Sequence, residues 1–486
     1  MLFNSVKFAI FLPIVFLLYW FVFDRLIAKS KHQLRMQNAF VVVASYVFYG
    51  WWDWRFLILI AITSFCSWGS GLLIGRAETR KTAKTWVTLN IFLNLGILAL
   101  FKYYDFFVVE FAQLFHASSE GLLLKVILPV GISFYTFQAL SYSIDVYKGK
   151  LEPTKDIIAF FAFISFFPQL VAGPIERATN LLPQFQRRRE FDYDTAVDGM
   201  RQILWGLFKK MVVADNCAVY VDQVFSTYTE QSGSTLLLAA VLFTFQIYGD
   251  FSGYSDIAIG TAKLFGIKLM RNFNVPYFSR DIAEFWRRWH ISLTTWFRDY
   301  VYIPMGGSRV SKSKVIRNTF VIFLVSGFWH GANWTFIAWG AYHAILFLPL
   351  ILTGKNRKYT NQVAEGRLLP TMNEAGRMLL TFFLVVIGWI IFRAESIGQA
   401  WEYLMLIGTK NLFSIPWLIN RSIWIPLVIN CLILLIVEWV GREGDYSLSF
   451  LRGKAFAIQA CVYYVLMIII YICQPTESTQ FIYFQF

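Results

Sequence analysis

Two of the five histidines could do chemistry, because each occurs in an apolar setting. His330 follows Asn318, where an apolar run begins, by 12 residues. At about 1.5 Å per helical residue this places it roughly 18 Å along the run, past the middle of a hydrocarbon core about 30 Å thick. An ionisable side chain at that depth is costly and indicates a functional site. The alternative is a structural histidine that bonds to a neighbouring helix.

Small and aromatic residues flank His330 in the sequence GFWHGANW. Gly327 and Gly331 allow another backbone to approach closely. Trp329 and Trp334 supply rigid walls, and Asn333 offers a hydrogen-bonding side chain. This composition favours a pocket around the imidazole.

The second histidine, His290, occurs in residues 282–300, which we predict to form one amphipathic helix. Apolar residues recur there at the i, i+3, i+4, i+7 spacing of a helical stripe. The stripe consists of Ile282, Phe285, Trp286, Trp289, Leu293, Trp296, Phe297 and Tyr300. The opposite face carries Glu284, Arg287, Thr294 and Arg298. His290 falls on the border between the faces, where its ring could reach a polar cavity. The alternative is an interfacial anchor in which His290 is one more amphipathic side chain.

Two carboxylates, Asp250 and Asp256, occur within an apolar span, residues 235–265, that the sequence QIYGDFSGYSD interrupts. Hydroxyl side chains surround them, at Tyr248, Ser252, Tyr254 and Ser255. Gly249 and Gly253 form a small-xxx-small pair, which lets another helix approach closely. Carboxylates inside a membrane are costly, so we expect them to pair with arginines or to line a polar reaction chamber.

The composition defines the class of protein that must position these groups. Of 486 residues, 57% are hydrophobic and only 15% are charged. Repeated apolar runs of helical length, without the alternation of a barrel strand, predict an all-α polytopic membrane protein. Five scattered cysteines indicate neither a disulfide framework nor a metal site.

The distribution of Lys and Arg predicts topology. A net charge of +14 could suggest a nucleic-acid partner, but the basic residues lie in short loops between spans. The positive-inside rule explains that pattern better, so we expect membrane lipids and no nucleic acid as partners. Basic loops at 24–37 and 76–84 are then cytoplasmic, which puts the N-terminus outside. We expect the first span, residues 6–23, to be retained.

We predict one integral-membrane domain, residues 1–486. N-terminal spans are expected to occupy 1–120, the catalytic core 121–352 and C-terminal spans 353–486. Helical hairpins are predicted at 39–74, with a tip at 51–54, and at 318–352, with a break at His330. The mixed composition of residues 398–420 does not assign them to a span or to a loop.

Long stretches resemble the membrane-bound O-acyltransferase family, especially its bacterial alginate O-acetyltransferase branch. They are YGDFSGYSDIAIGTAKLFGI, NFNVPYFSRDIAEFWRRWHISLTTWFRDYVYIPMGG and GFWHGANWTFIAWG, with support from LPVGISFYTFQALSYSIDVY, FPQLVAGPIER and IGWIIFRAES. The resemblance implies a ring of about eleven spans with re-entrant and surface helices around a thin partition. It also implies a cytoplasmic approach for an acyl donor and an outer funnel for the acceptor.

The same resemblance makes His330 the expected catalytic residue and His290 a second active-site histidine. A neutral imidazole can take a proton from a hydroxyl or receive an acyl group, while a hydrogen-bond donor stabilises the oxyanion. We expect further side chains of these motifs to bind or support the substrate: Tyr248, Asp250, Tyr254, Asp256, Arg287, Arg288, Trp296, Arg298, Asp299, Tyr302, Trp329 and Asn333. No metal is expected.

The expected reaction moves an acyl group, acetyl in the first instance, to a hydroxyl of an exported polysaccharide. The donor would be acetyl-CoA or an acyl carrier, with no bound cofactor. We expect a bacterial inner-membrane protein that hands the group to an extracytoplasmic, esterase-like partner. D-alanyl transfer to a cell-envelope polymer is the closest alternative. A proton-coupled transporter using His330, Asp250 and Asp256 is a different class, against which the lack of an internal repeat argues. A non-catalytic scaffold is a third.

Overall fold

The described part of the chain is helical, with no strand among its residues. The computed structural model describes all residues except 172, 419–420, 476–480 and 483–486, and for 421–423 only the backbone. Seven described helices are long and apolar enough to cross a membrane, and Trp424–Val440 is a shorter apolar helix. The prediction of an all-α, multi-pass membrane protein is therefore confirmed.

The chain forms two compact units. One contains Met1–Met200 and Ala258–Met270, and the other contains Arg201–Ile257 and Arg271–Phe486. The partition of the sequence at residues 120 and 352 stays a prediction.

In the first unit, Val6–Ile27, Arg55–Gly75 and Arg80–Leu114 are long and apolar enough to cross a membrane. The helices of this unit are α1 Val6–Leu17, α2 Asp24–Ile27, α3 Gln33–Gly50, α4 Arg55–Gly75, α5 Arg80–Leu98, α6 Tyr104–Leu114, α7 Ile132–Tyr147, α8 Ile157–Ser165, α9 Phe167–Leu170 and α10 Ala178–Phe185. π-helical segments at Leu18–Phe23 and Ala99–Tyr103 connect α1 to α2 and α5 to α6. Helix α11, Tyr193–Leu207, begins in this unit and ends in the second.

Polar side chains join three helices inside the first unit. Asn90 of α5 donates to Ser143 of α7 at 2.6 Å and accepts from Ser67 of α4 at 3.2 Å. All three residues are buried. Such bonds hold apolar helices together where water is absent. Helices α3 and α4, joined through 51–54, confirm the first predicted hairpin.

The second unit contains the stretches on which the functional hypotheses depend. Its helices are α12 Asp215–Ser226, α13 Gly233–Leu264, α14 Ile282–Arg288, α15 Ile291–Phe297, α16 Lys312–His330, α17 Trp334–Leu352, α18 Met372–Arg393, α19 Ile397–Thr409, α20 Arg421–Val440 and α21 Phe456–Cys473. The last turns of α13, from Ala258, belong to the first unit. π-helical segments follow α11, at Phe208–Ala214, and α15, at Arg298–Tyr302.

Helices α16 and α17 confirm the hairpin predicted at His330. They pack with their backbones in contact, because a Cβ at Gly327 or Gly340 would overlap a carbonyl oxygen of the other helix. The close approach predicted at Gly253 is also present, since a Cβ there would lie 2.8 Å from the Gly206 oxygen.

Two local predictions are wrong. Helix α13 is continuous through QIYGDFSGYSD, because its carboxylates have ion-pair partners and its glycines pack against α11 and the following π segment. The predicted helix over 282–300 is broken at His290, whose φ of 42° and ψ of 54° are left-handed. His290 therefore does not lie on the border of a continuous helix but at the start of α15.

Candidate active site

The structure brings the two predicted histidines together. His330 is the last residue of α16, and His290 immediately precedes α15. Their ring centroids are 6.4 Å apart, although 40 positions separate them in the chain. Both are buried, with 1% of His290 and 4% of His330 exposed.

Aromatic rings form the walls around this pair. Trp329 lies 4.9 Å from the ring centroid of His330 and 6.0 Å from that of His290. Trp339 and Phe392 meet the His330 ring edge-on, at 5.2 and 5.4 Å. The sequence analysis identified Trp329 but missed Trp339 and Phe392. Trp334, which was also predicted to be a wall, is 49% exposed. Trp339 is ten residues beyond Trp329 in the other helix of the hairpin, which is a signal that could have found it.

Burial controls the charge of His290. The ring packs edge-on against Phe251 at 4.6 Å and nearly parallel to Phe273 at 6.5 Å. This desolvation lowers the pKa of His290 to about 3. His290 is therefore neutral at physiological pH, with one N–H donor and one lone pair. A neutral imidazole suits the stabilisation of a developing oxyanion better than the storage of a proton.

The predicted carboxylates of α13 pair with lysines and not with arginines. Lys210 bonds to Asp250 and to Asp215, each at 2.7 Å, and Lys209 bonds to Asp256 at 2.5 Å. Both lysines are buried in the π-helical segment that packs on α13. The sequence analysis missed them, although two cations in the apolar run FKKMVVA are themselves a signal.

The two predicted tyrosines of α13 join the same region. Tyr248 donates to Glu438 at 2.6 Å, and Lys210 lies 5.6 Å from the ring centroid of Tyr254. Phe481 packs against Tyr254, with 4.5 Å between centroids, and against Phe251 at 6.0 Å.

The backbone N–H of Ile482 donates to Asp250 at 2.6 Å. Residues 481–482 are thereby fixed beside Phe251, the ring that touches His290.

A cavity of about 470 Å³ approaches the histidine pair along α16. Thr319, Ile322, Phe323 and Ser326 line it. His330 follows Ser326 by four residues, which is one turn, or about 6 Å, further along the same helical face. The ring of Trp286 also lines the cavity and touches Trp339, which touches His330. The lining of the cavity along α16 therefore ends one turn before His330.

The mouth of this cavity is cationic. Arg287, Arg298 and Arg357 line it together with Tyr302. Arg287 is anchored by donating to the carbonyl oxygens of Asn356 and Tyr359, at 2.8 and 2.6 Å. With Arg298 and Arg357 it makes the mouth positively charged, whereas Ile322 and Phe323 give the rest of the cavity apolar walls. This arrangement suits a ligand with an anionic end and a small acyl end.

Two of the predicted support residues belong to the rim of the cavity. Arg298 pairs with Asp299 at 2.7 Å, and the hydroxyl of Tyr302 lies 3.1 Å from that of Ser308. Trp296 packs on Tyr300, with 4.9 Å between centroids.

The remaining predicted residues stabilise the framework. Arg288 donates to Glu284 at 2.7 Å and to Gln362 at 2.6 Å, which ties α14 to the segment that follows α17. Asn333 caps α17 by accepting from Thr335 N at 3.0 Å, and it donates to the Glu395 carbonyl at 3.0 Å. Their roles in substrate binding stay predictions.

The fold and site define a membrane enzyme built for acyl transfer. The profile of the membrane-bound O-acyltransferase family matches residues 153–387, which include both histidines. A probable alginate O-acetylase AlgI of Pseudomonas aeruginosa is 39% identical, over 92% of this chain and 82% of its own. A peptidoglycan O-acetyltransferase of Helicobacter pylori is 35% identical, over 83% of this chain and 79% of its own. A teichoic acid D-alanyltransferase of Bacillus subtilis is 28% identical, over 69% and 85%.

The chain belongs to the membrane-bound O-acyltransferase family, as the resemblance of its motifs indicated. It is an O-acyltransferase, which decides against the transporter hypothesis.

Proposed function

We propose that this chain moves an acetyl group from a cytoplasmic thioester, acetyl-CoA, toward an exported polysaccharide. The observation that carries the proposal is the buried His290–His330 pair, in which His330 lies one helical turn beyond Ser326, a residue that lines a cavity with a cationic mouth. In this proposal His330 takes the proton of the acceptor hydroxyl as its oxygen bonds to the acetyl carbon, and returns that proton to the CoA thiolate as the C–S bond breaks. Neutral His290 donates a hydrogen bond to the thioester oxygen as it becomes an oxyanion.

The cavity supports a phosphorylated donor. Coenzyme A and a carrier-bound phosphopantetheine both combine phosphate groups with an extended arm that ends in the thioester. Arg298 and Arg357 at the mouth suit the phosphates, and the walls of Ile322 and Phe323 suit the arm. An acyl carrier protein in place of acetyl-CoA would use the same chemistry.

The burial of the histidines supports a hand-off to a partner. A polysaccharide cannot reach imidazoles that are 1% and 4% exposed, whereas an acetyl group can be passed outward. We therefore propose an extracytoplasmic, esterase-like transferase that completes the O-acetylation. The two O-acetylating relatives named above are 39% and 35% identical to this chain and the D-alanylating relative named there is 28% identical, which favours acetyl over D-alanyl.

The bacterial relatives support location in a bacterial inner membrane, and the basic loops support an N-terminus outside. Donor and acceptor would then meet the protein from opposite faces.

The experiment uses membrane vesicles of the producing host, in which partner proteins are present. Vesicles are loaded with radiolabelled acetyl-CoA, and label in the polysaccharide outside is counted. His330→Ala should lower the rate on the order of 10² or more. His343→Phe is the matched control, because His343 is a third buried histidine, which packs on Trp339 at 5.0 Å between ring centroids. Transfer by His330→Ala at the wild-type rate would contradict the proposal.

A further inference from the structure

We infer that Asn272 is a positioning residue that holds His290 in its reactive orientation. The inference rests on the proposed function and adds a residue outside the predicted site. It starts from the left-handed backbone of His290, a conformation that side-chain-bearing residues seldom adopt. Such a conformation persists only where the surrounding structure enforces it.

Asn272 supplies that enforcement from a segment 18 positions earlier in the chain. Its backbone carbonyl accepts from Ile291 N at 2.9 Å. Its side-chain Oδ1 accepts from Ser292 N at 3.3 Å and from Ser292 Oγ at 2.9 Å. These two N–H groups are the first of α15, so Asn272 caps this helix from outside.

The position that would normally cap α15 belongs to His290, whose side chain makes no capping bond. Capping by Asn272 therefore leaves the imidazole available to face Trp329 and His330. A helix capped by its own N-cap residue would turn that side chain back onto the backbone.

Asn272 is itself held in place. Its Nδ2 donates to Ser255 Oγ of α13 at 3.0 Å, and all of Asn272 is buried. One side chain thus connects α13, which carries the lysine–carboxylate pairs, to the backbone that orients His290. Loss of the Oδ1 acceptor should release α15 and rotate the imidazole, without touching the donor cavity.

The test compares two replacements of similar size in the vesicle assay. Asn272→Leu removes the acceptor, whereas Asn272→Asp keeps an oxygen for Ser292 and can accept from Ser255. We expect Asn272→Leu to lower kcat about tenfold or more with the donor KM unchanged, because small misplacements cost rate. Asn272→Asp should retain the larger part of kcat, even though a buried carboxylate lowers its thermal stability.

A purely structural role predicts the reverse order, with the apolar variant active and the charged variant impaired, and that order would overturn the inference. So would a wild-type kcat for Asn272→Leu. The matched control is Asn274→Leu, in the same segment, whose side chain faces Gln362. If Asn272→Leu does not fold, Ser292→Ala removes one of the two hydrogen bonds that Asn272 Oδ1 accepts and should also lower kcat. Wild-type transfer in the same assay separates failure of this inference from failure of the proposed function.

Discussion

His290 and His330 lie with 6.4 Å between their ring centroids, one at a left-handed turn and the other at the end of a helix. The backbone at each histidine is held in place by neighbouring residues. The α16–α17 hairpin fixes His330, and the pairing of Asn272 with the start of α15 fixes His290. This mutual placement is the one that the proposed function requires, in which His330 accepts a proton and His290 donates a hydrogen bond to the same thioester.

The first prediction concerns the charge of His290. Its folded-state pKa of about 3 lies below the ordinary value of 6.5. Above pH 6.5 the imidazole is neutral in both the folded and the unfolded protein, so its burial contributes fully to stability. As the pH falls from 6.5 toward 3, the unfolded protein binds a proton that the folded protein does not, and the free energy of unfolding falls. At about 1.4 kcal/mol per pH unit, wild type should lose about 2 kcal/mol by pH 5 through this group alone.

His290→Asn should lack that acid-side loss. The measurement is the free energy of unfolding of both proteins, purified in detergent, at pH 8 and pH 5. An equal loss in the two proteins would show that His290 is not held neutral. The variant should also keep partial activity, since asparagine can still donate a hydrogen bond.

The second prediction concerns the cationic mouth. Arg298→Ala should raise the KM for acetyl-CoA about tenfold with little change in kcat, because charge-assisted bonds to phosphate contribute about 1.5–3 kcal/mol. The truncated neutral thioester S-acetyl-N-acetylcysteamine should show no such change. Arg452→Ala, which removes an arginine paired with Asp445 elsewhere in the second unit, is the control. An equal rise in KM for both thioesters would show that Arg298 does not bind the phosphates of acetyl-CoA.

The third prediction compares two adjacent lysines. Lys210→Met leaves two buried carboxylates without their shared cation, so it should destabilise by about 3–5 kcal/mol. Lys209→Met should cost less, because Asp256 is more exposed and keeps its 2.7 Å bond from Gln202. Thermal unfolding of the two purified variants gives the order. If Lys210→Met were as stable as wild type, the buried network would not depend on Lys210.

The fourth prediction concerns sidedness, and it follows from the alternation of basic loops. In a variant without native cysteines, Ser30→Cys and Lys312→Cys should react with an impermeant maleimide only from the cytoplasmic side. Asp53→Cys, in the turn between α3 and α4, should react only from outside. Labelling of position 312 from outside would contradict the topology.

Sequence periodicity found the features that depend on neighbours in the chain. The hairpin around His330 and the close approach at Gly253 follow from local spacing, and both are present, whereas the depth of His330 in the membrane stays a prediction. The break at His290 could not be found in this way, because the start of α15 is hydrogen-bonded to Asn272, which lies outside the periodic stretch 282–300. The partners of Asp250 and Asp256 were missed for the same reason, since Lys209 and Lys210 meet them only after α11 packs on α13.

The most direct test of His330 as the group that drives transfer is the O-acetyl content of exported polysaccharide in host cells. Cells lacking the chromosomal gene would carry wild type, His330→Ala or His343→Phe, with protein levels matched by immunoblot. We predict wild-type O-acetylation for His343→Phe and a background level for His330→Ala. Restored O-acetylation by His330→Ala at a matched protein level would contradict the assignment.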